Sequence, residues 1–229
     1  MPDHVHDLSV CITVKNRSRA MCSRRSLKLF PNCLNSLREA VAVTGADVEV
    51  VIADFHSDDW PLLEWVPVVL GDIRHSVIPV NGDFGRGKGR NIAAARASGR
   101  LLFFLDADML VSPETLTAGF DLARIDSAVF PLAWEYRDQG HRTLDMLPFG
   151  TGNCFVCHET FAETRGWIEW QKWGFEDWGF MVAVANHATI HRPKIRNFIH
   201  QWHPDSMRDQ FDREKWSDNH GTQNGVRPL

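Results

Sequence analysis

Leu101-Leu102-Phe103-Phe104-Leu105-Asp106-Ala107-Asp108 is the stretch that decides the fold. Its apolar run, bounded by Arg100 and Asp106, is far too short to cross a membrane. It lacks the apolar-polar alternation of a half-wet strand, so it reads as a strand buried on both faces, with two acids leaving its carboxyl end. Upstream, Leu8 to Val14 (LSVCITV) is a β-rich run broken by Lys15-Asn16-Arg17, and Val48 to Ala53 (VEVVIA) ends in Asp54-Phe55-His56-Ser57-Asp58-Asp59. His75 to Val80 reads as a short third strand, and Ile195 to Ile199 as a late one. Helical spacing separates them. Leu27, Leu29, Phe30, Leu34, Leu37, Ala40 and Val41 predict a helix over Ser26 to Val43. Arg90 to Ser98 predicts a second, capped by Gly99, and Ser112-Pro113 an N-cap and first position of a third. Strands alternating with helices imply a mostly parallel sheet, whose ligands sit beyond the strands' carboxyl ends. The clusters at Lys15–Arg17, Asp54–Asp59 and Asp106–Asp108 are therefore expected to converge on one edge.

The 229 residues are 44% hydrophobic and 24% charged, which excludes a disordered chain and provides enough length for a core without staples. A formal net charge of −4 excludes a general duplex nucleic acid coat but leaves room for a local basic groove. Met1 to Asp7 is charged and His-rich with no signal-peptide core, so a cytoplasmic location is expected, without a membrane span. Five cysteines make no disulfide framework, and Cys154 and Cys157 read as strand residues on opposite faces. Nine Trp against one Tyr is unusual. Of Trp167, Trp170, Trp173, Trp178 and Trp202, one or two are expected to meet a flat apolar ligand face such as a sugar's, and the rest to pack the core.

Four constellations carry chemistry. Asp106 and Asp108 form an oxygen-rich site for Mg²⁺ or Mn²⁺ carrying phosphates; the competing reading is a solvated turn. Gly85-Arg86-Gly87-Lys88-Gly89-Arg90-Asn91 joins three glycines to three cations and opens a helix, which suits phosphate or sugar oxygens as well as it suits a plain surface loop. Gly174-Phe175-Glu176-Asp177-Trp178-Gly179 can hold a carboxylate in a partly desolvated setting, where its pKa rises toward that of a general base; paired acids also favour an ordinary helix N-terminus. His200, with His203 nearby, can complete a metal shell begun at Asp108, or be a satisfied structural histidine.

In this order the motifs resemble nucleotide-sugar-dependent glycosyltransferases of family 2. The branch they are most similar to holds the β-1,4-galactosyltransferases, the polypeptide N-acetylgalactosaminyltransferases and the chondroitin-polymerase-type domains. The likeness covers roughly residues 8 to 203. It implies a GT-A, Rossmann-like three-layer α/β sandwich as one catalytic domain over 1–229. Residues 8–110 would be the nucleotide-sugar half, 111–203 the acceptor and catalytic half, and 204–229 a polar tail or lid. The loop from Tyr136 to Gly150 is the other candidate lid.

Carried over by position, the resemblance assigns donor binding to Thr13, Val14, Lys15 and Arg17, where Thr13 and Lys15 replace the branch's Pro and Arg. Asp54 matches an acid that accepts the uracil N–H. Arg86 and Lys88 match a Phe-x-Arg-x-Lys loop on donor sugar and phosphate, Asn91 belongs to the Arg-Asn helix beyond it, and Asp106 lies near ribose and donor sugar. The metal ligands implied are Asp108 and His200, with Asp106 beside them and His203 as rival. Trp173 to Asp177 resembles a WGxxED segment one residue longer. There the Asp is the base and the Glu orients the acceptor, which assigns Asp177, Glu176, Trp173 and Trp178 to acceptor and catalysis. The implied reaction is metal-dependent transfer with inversion from a nucleotide-sugar, a UDP-sugar by Asp54, to a glycan or other hydroxyl. Two other classes stay open. A sugar nucleotidyltransferase would carry a glycine-rich loop after the first strand, where Lys15 to Ser23 has no Gly, and a non-catalytic carbohydrate- or nucleotide-binding module could have lost acids that this chain keeps.

Overall fold

Burial on both faces makes residues 99–106 a strand. Leu102 and Phe104 enter one apolar cluster while Leu101, Phe103 and Leu105 enter another. The computed structural model describes residues 4–22, 25–169 and 175–204. In chain order it runs β1 (His6–Val14), β2 (Ala20–Cys22), β3 (Arg25–Leu27), α1 (Leu29–Thr44), β4 (Val48–Asp54), α2 (Leu62–Leu70) and β5 (Arg74–Pro79). Next come α3 (Arg86–Ala94), β6 (Gly99–Asp106), β7 (Met109–Leu110), α4 (Pro113–Leu122), β8 (Ser127–Val129), β9 (Leu132–Tyr136) and β10 (Leu144–Leu147). The described chain ends with β11 (Cys154–Cys157), α5 (His158–Glu163), α6 (Glu176–Ala185), β12 (Thr189–His191) and β13 (Lys194–His200).

The central sheet has seven strands in the order β12-β8-β11-β6-β1-β4-β5, parallel except for β11, which is antiparallel to both neighbours. One face is covered by α1, α2 and α4 through Phe30, Leu34, Trp65 and Leu116, the other by α3 and α6 through Ala93, Ala94 and Phe180. This is the expected α/β architecture of three layers. A second sheet, β10-β9-β13-β7, stands beside the end of β6.

Register fixes where the site lies. Thr13 pairs with Asp106 across β1 and β6, and Val14 with Asp54 across β1 and β4. The three polar strand ends therefore emerge level with one another, as expected from the sequence.

Several boundaries differ. The first helix begins at Leu29 rather than Ser26, because Arg25–Leu27 pairs with Ala20–Cys22 in a hairpin. The second expected helix lies four residues earlier, over Arg86–Ala94. Gly99 is consequently not its cap but the start of β6, where a Cβ would come within 2.5 Å of the Ser9 backbone nitrogen. Helix α2 was not anticipated, since Pro67 lies inside it and its sequence is apolar nearly throughout. Cys154 and Cys157 do face opposite layers. Ser112 and Pro113 open α4 as expected. No helix among the described residues is long and apolar enough to cross a membrane.

Candidate active site

At the strand ends opens a cavity of about 1140 Å³ lined from both sheets, at the upper end of the size of small-molecule and cofactor sites. Its floor is the β1 loop and Asp106–Asp108; its opposite wall is the β9–β10 hairpin and the following turn to Phe149. The expected lid loop from Tyr136 to Gly150 is thus largely this hairpin, its turn held by Asp138 accepting the N–H groups of Gly140, Arg142 and Thr143.

Helix α3 organises the first half of the site. Gly85 precedes it in an extended conformation. Gly87 and Gly89 are not open loop glycines: added Cβ atoms would fall 2.0 Å from the Ile168 carbonyl oxygen and 2.3 Å from the Thr13 side chain. With the helix starting at Arg86, Arg86 and Arg90 lie one turn apart on one face. Arg90 is only 2% exposed. Its Nη2 donates to Asp106 Oδ1 at 2.8 Å and its Nη1 to Asp177 Oδ1 at 2.9 Å, while its guanidinium lies 4.1 Å over the Trp167 ring. Burial pulls the Arg90 pKa down, but Asp106 and Asp177 outweigh it and push it up.

Beside this bridge Arg86 Nη1 stands 3.5 Å from Glu176 Oε1. Burial, and then the charge of Asp177, raise the Glu176 carboxyl above its ordinary value despite Arg86. Phe175, at φ 68°, turns the chain into α6 so that both acids fall in its first turn. That turn is at once the helix start and the acid pair that the sequence suggested. Gly152 closes over the bridge, where a Cβ would sit 2.8 Å from Arg90 Nη2 and 3.0 Å from Asp177 Oδ2.

Asp108 has different company. Where β6 ends at Asp106, the chain turns and the two acids diverge. His200 Nε2 is 3.7 Å and His203 Nε2 3.5 Å from Asp108 Oδ2, and one ligand atom of each residue lies within 4.8 Å of the others. Burial raises the Asp108 pKa, but the two histidines outweigh it and hold it well below the usual carboxylate range. One carboxylate with two imidazoles is a mixed oxygen–nitrogen donor set that fits Mn²⁺. Both histidines, offered by the sequence as rivals, are brought to Asp108. Asp106 is not: its carboxylate is bound by Arg90 and by Asn153 Nδ2.

The remaining expected residues divide. Thr13, Val14, Lys15, Arg17 and Arg86 line the cavity with Asp106 and Asp108. Thr13 Oγ1 is buried with no hydrogen-bond partner among the described residues. Asp54, Lys88, Asn91, Glu176, Asp177 and Trp178 are not part of the lining. Asp54 Oδ1 accepts the Ser57 N–H and hydroxyl at 3.0 and 2.6 Å. Lys88 Nζ donates to the Asn81 carbonyl, and the Asn91 amide is engaged by the Trp167 backbone and Glu169. Trp178 is 58% exposed on the first turn of α6, whereas Trp167 is core, stacked on Phe180 at 3.9 Å. Trp173, Trp170 and the tail beyond Pro204 lie outside the described residues. The inward turn of Arg90 was missed. A helix started at Arg86 would have revealed it, because Arg86 and Arg90 then share a face that Lys88 does not.

An α/β sheet with this strand-end cavity defines a ligand-binding protein of the open-sheet kind. Residues 9–170 match the family model described as Glycosyl transferase family 2, and the chain belongs to that family. Comparison with curated proteins gave no match. Among solved structures, S. aureus TarS 1–349 in complex with UDP-GlcNAc is similar at TM-score 0.66 and 19% identity, over 86% of this chain and 59% of that one. The catalytic domain of Drosophila β1,4-galactosyltransferase 7, in complex with xylobiose, is similar at TM-score 0.62 and 14% identity, over 96% of this chain and 83% of that one. The mannosyltransferase PcManGT of Pyrobaculum calidifontis, with GDP-Man and Mn²⁺, matches at TM-score 0.61 and 15% identity, over 86% and 57%. The fold is therefore the GT-A type, and the chain spans about three-fifths of the length of the TarS 1–349 structures.

Proposed function

We propose that this chain is an inverting, metal-dependent glycosyltransferase moving a sugar from a UDP-sugar to the hydroxyl of a glycan or similar acceptor. The observation that carries the reading is the Arg90 bridge, which joins a donor-side acid, Asp106, to the acid proposed as base, Asp177. A sugar hydroxyl is a poor nucleophile at neutral pH, so a carboxylate must take its proton as it attacks. Arg90 occupies Asp177 Oδ1 and orients that carboxylate, leaving Oδ2 for the proton. Glu176 orients the acceptor, and Trp178 with Trp173 offers it flat apolar faces. A single base opposite the leaving group gives displacement with inversion.

On the donor side Lys15, Arg17 and Arg86 present cationic groups to the diphosphate from the cavity wall. Lys88 and Asn91 support the same loop from behind, and Asp54 favours a uracil edge. Asp108, His200 and His203 would hold a divalent ion, Mn²⁺ or Mg²⁺, which would supply positive charge to offset that of the leaving diphosphate. The UDP-GlcNAc bound to TarS and the Mn²⁺ bound to PcManGT support donor class and metal, and the likeness to β1,4-galactosyltransferase 7 supports the branch.

Thermal titration with UDP, GDP, CDP and dTDP, each with Mn²⁺ or EDTA, tests the donor site. Stabilisation by UDP that EDTA removes is expected. Selective stabilisation by GDP would overturn the role of Asp54. Asp177→Asn is expected to lower transfer about 10²- to 10⁴-fold while keeping UDP binding. Pyrophosphate release from an NTP and a sugar phosphate would instead favour a nucleotidyltransferase.

A further inference from the structure

The first two turns of α1 touch three backbone segments around the cavity floor, at Arg17, at Asp106–Val111 and at Gln201. Phe30 N–H donates to the Arg17 carbonyl at 2.9 Å. Cys33 Sγ lies 3.7 Å from the Asp106 carbonyl, and Ser36 Oγ accepts the Val111 N–H at 3.0 Å. The fourth contact is with Gln201. Asn32 Nδ2 donates to Gln201 Oε1 at 2.9 Å, and Gln201 Nε2 donates to the Leu29 carbonyl at 2.8 Å. The Gln201 backbone N–H donates to the Asp108 carbonyl at 2.9 Å. Gln201 is 5% exposed, so this amide is buried with both of its ends matched.

Its place in the chain gives those bonds a purpose. Residues three apart on an extended strand point to opposite faces. His200 and His203 nevertheless face one carboxylate, which requires the chain to leave strand geometry between them. It does so at Gln201: β13 ends at His200, whose partner across the ladder is Met109, and residues 201–204 have no strand pairing. Only a side chain with a donor and an acceptor at this reach can bond Leu29 and Asn32 together. A Glu would set an oxygen against the Leu29 carbonyl, and a Met would bond neither.

We propose that Gln201 is a positioning residue for the Asp108–His200–His203 cluster, pinning the turn between the histidines to α1 so that both imidazoles reach Asp108. The proposal rests on reading that cluster as a divalent-cation site. Outer hydrogen bonds that orient metal ligands commonly govern affinity by roughly 10- to 100-fold.

The test is Mn²⁺ titration of the full chain without substrates, followed by electron paramagnetic resonance of free and bound ion. Gln201→Met keeps the side chain's length and loses both amide bonds. Asn32→Ala removes one bond from an exposed helix position. His203→Ala sets the scale for losing a ligand. Gln201→Met is expected to weaken Mn²⁺ binding roughly 10- to 100-fold and to change the bound-ion spectrum. Asn32→Ala should weaken it a few-fold, and the double variant should be no worse than Gln201→Met alone. The metal-free melting temperature of Gln201→Met should fall by several degrees through its lost buried bonds, while that of Asn32→Ala should stay close to the parent's, so that weaker Mn²⁺ binding in Asn32→Ala is not a consequence of unfolding. If Gln201→Met binds as the parent does while His203→Ala is weakened, the positioning role is overturned and the cation site stands. If the parent binds no Mn²⁺, the cation site falls and takes the proposal with it. Should Gln201→Met fail to fold, unchanged binding in Asn32→Ala overturns the proposal.

Discussion

Asp106 and Asp108 stand two residues apart at the end of one strand, yet they are neutralised in opposite ways. Asp106 shares a buried arginine with Asp177, and Arg86 serves Glu176 beside them. Arginine keeps its proton at every pH a protein survives, so the three acids of that group meet two permanent cations of the chain itself. Asp108 faces two imidazoles, side chains that also serve as metal ligands. The first arrangement is complete as built and fixes carboxylates in place. The second has donor atoms arranged for a cation from outside. A short acidic motif can thus supply a structural bridge with one residue and an ion site with the next.

Removing the permanent cation should break the first arrangement hardest. Arg90→Ala leaves Asp106 and Asp177 facing each other over a void above Trp167. The expected cost is about 3–5 kcal/mol, a fall in Tm of roughly 10 °C, with transfer activity lost as well. A melting temperature within about 2 °C of the parent would show the bridge to be incidental. For the second arrangement the lever is the ion. Mn²⁺ at a hundred times its Kd should add about 2.7 kcal/mol, and EDTA should take it away. Asp108→Asn should abolish that gain. If it keeps the gain, the ion binds elsewhere.

The smallest effect is one of pH. Burial and Asp177 raise the Glu176 pKa in the folded protein above its ordinary 4.5. An acid shifted upward favours the folded state below its unfolded pKa, and that benefit disappears as pH rises through the folded value. Glu176→Gln should therefore match the parent in acid and become relatively more stable toward neutral pH. A difference in melting temperature that stays flat with pH would mean that Arg86 fully compensates the buried charge.

Strands β1, β4, β5 and β6 and their shared edge were legible because a buried parallel strand is written as an uninterrupted apolar run, and its end as a sudden charge. Lys15 to Arg17 and Asp106 to Asp108 were found this way. The starts of α1 and α3 were not, although Ser112 and Pro113 gave that of α4. Gly87 and Gly89 read as loop, since glycine disfavours helix, and only their contacts with Ile168 and Thr13 explain why they are helical. That misplaced start hid the inward face of Arg90. The partnership of Asp108 with His200 and His203 spans some ninety positions, and no local pattern encodes it; the family resemblance supplied it. The β9–β10 wall escaped notice because Leu132–Tyr136 and Leu144–Leu147 are short and broken by charge.

Helix α1 has a further consequence, for how the molecule breathes. Its bonds to Arg17, Val111 and Gln201 make the loop after β1, the strand end and the histidine turn one cooperative unit for local opening. The amide protons of Phe30, Val111 and Gln201 should then exchange with solvent together, at the pace of global unfolding. Strand β9 is laddered to β13, but β10 and the turn before it share none of those bonds, and their amides should exchange on a faster clock. The cavity would widen and narrow from that wall alone, with the floor that holds the charges staying still.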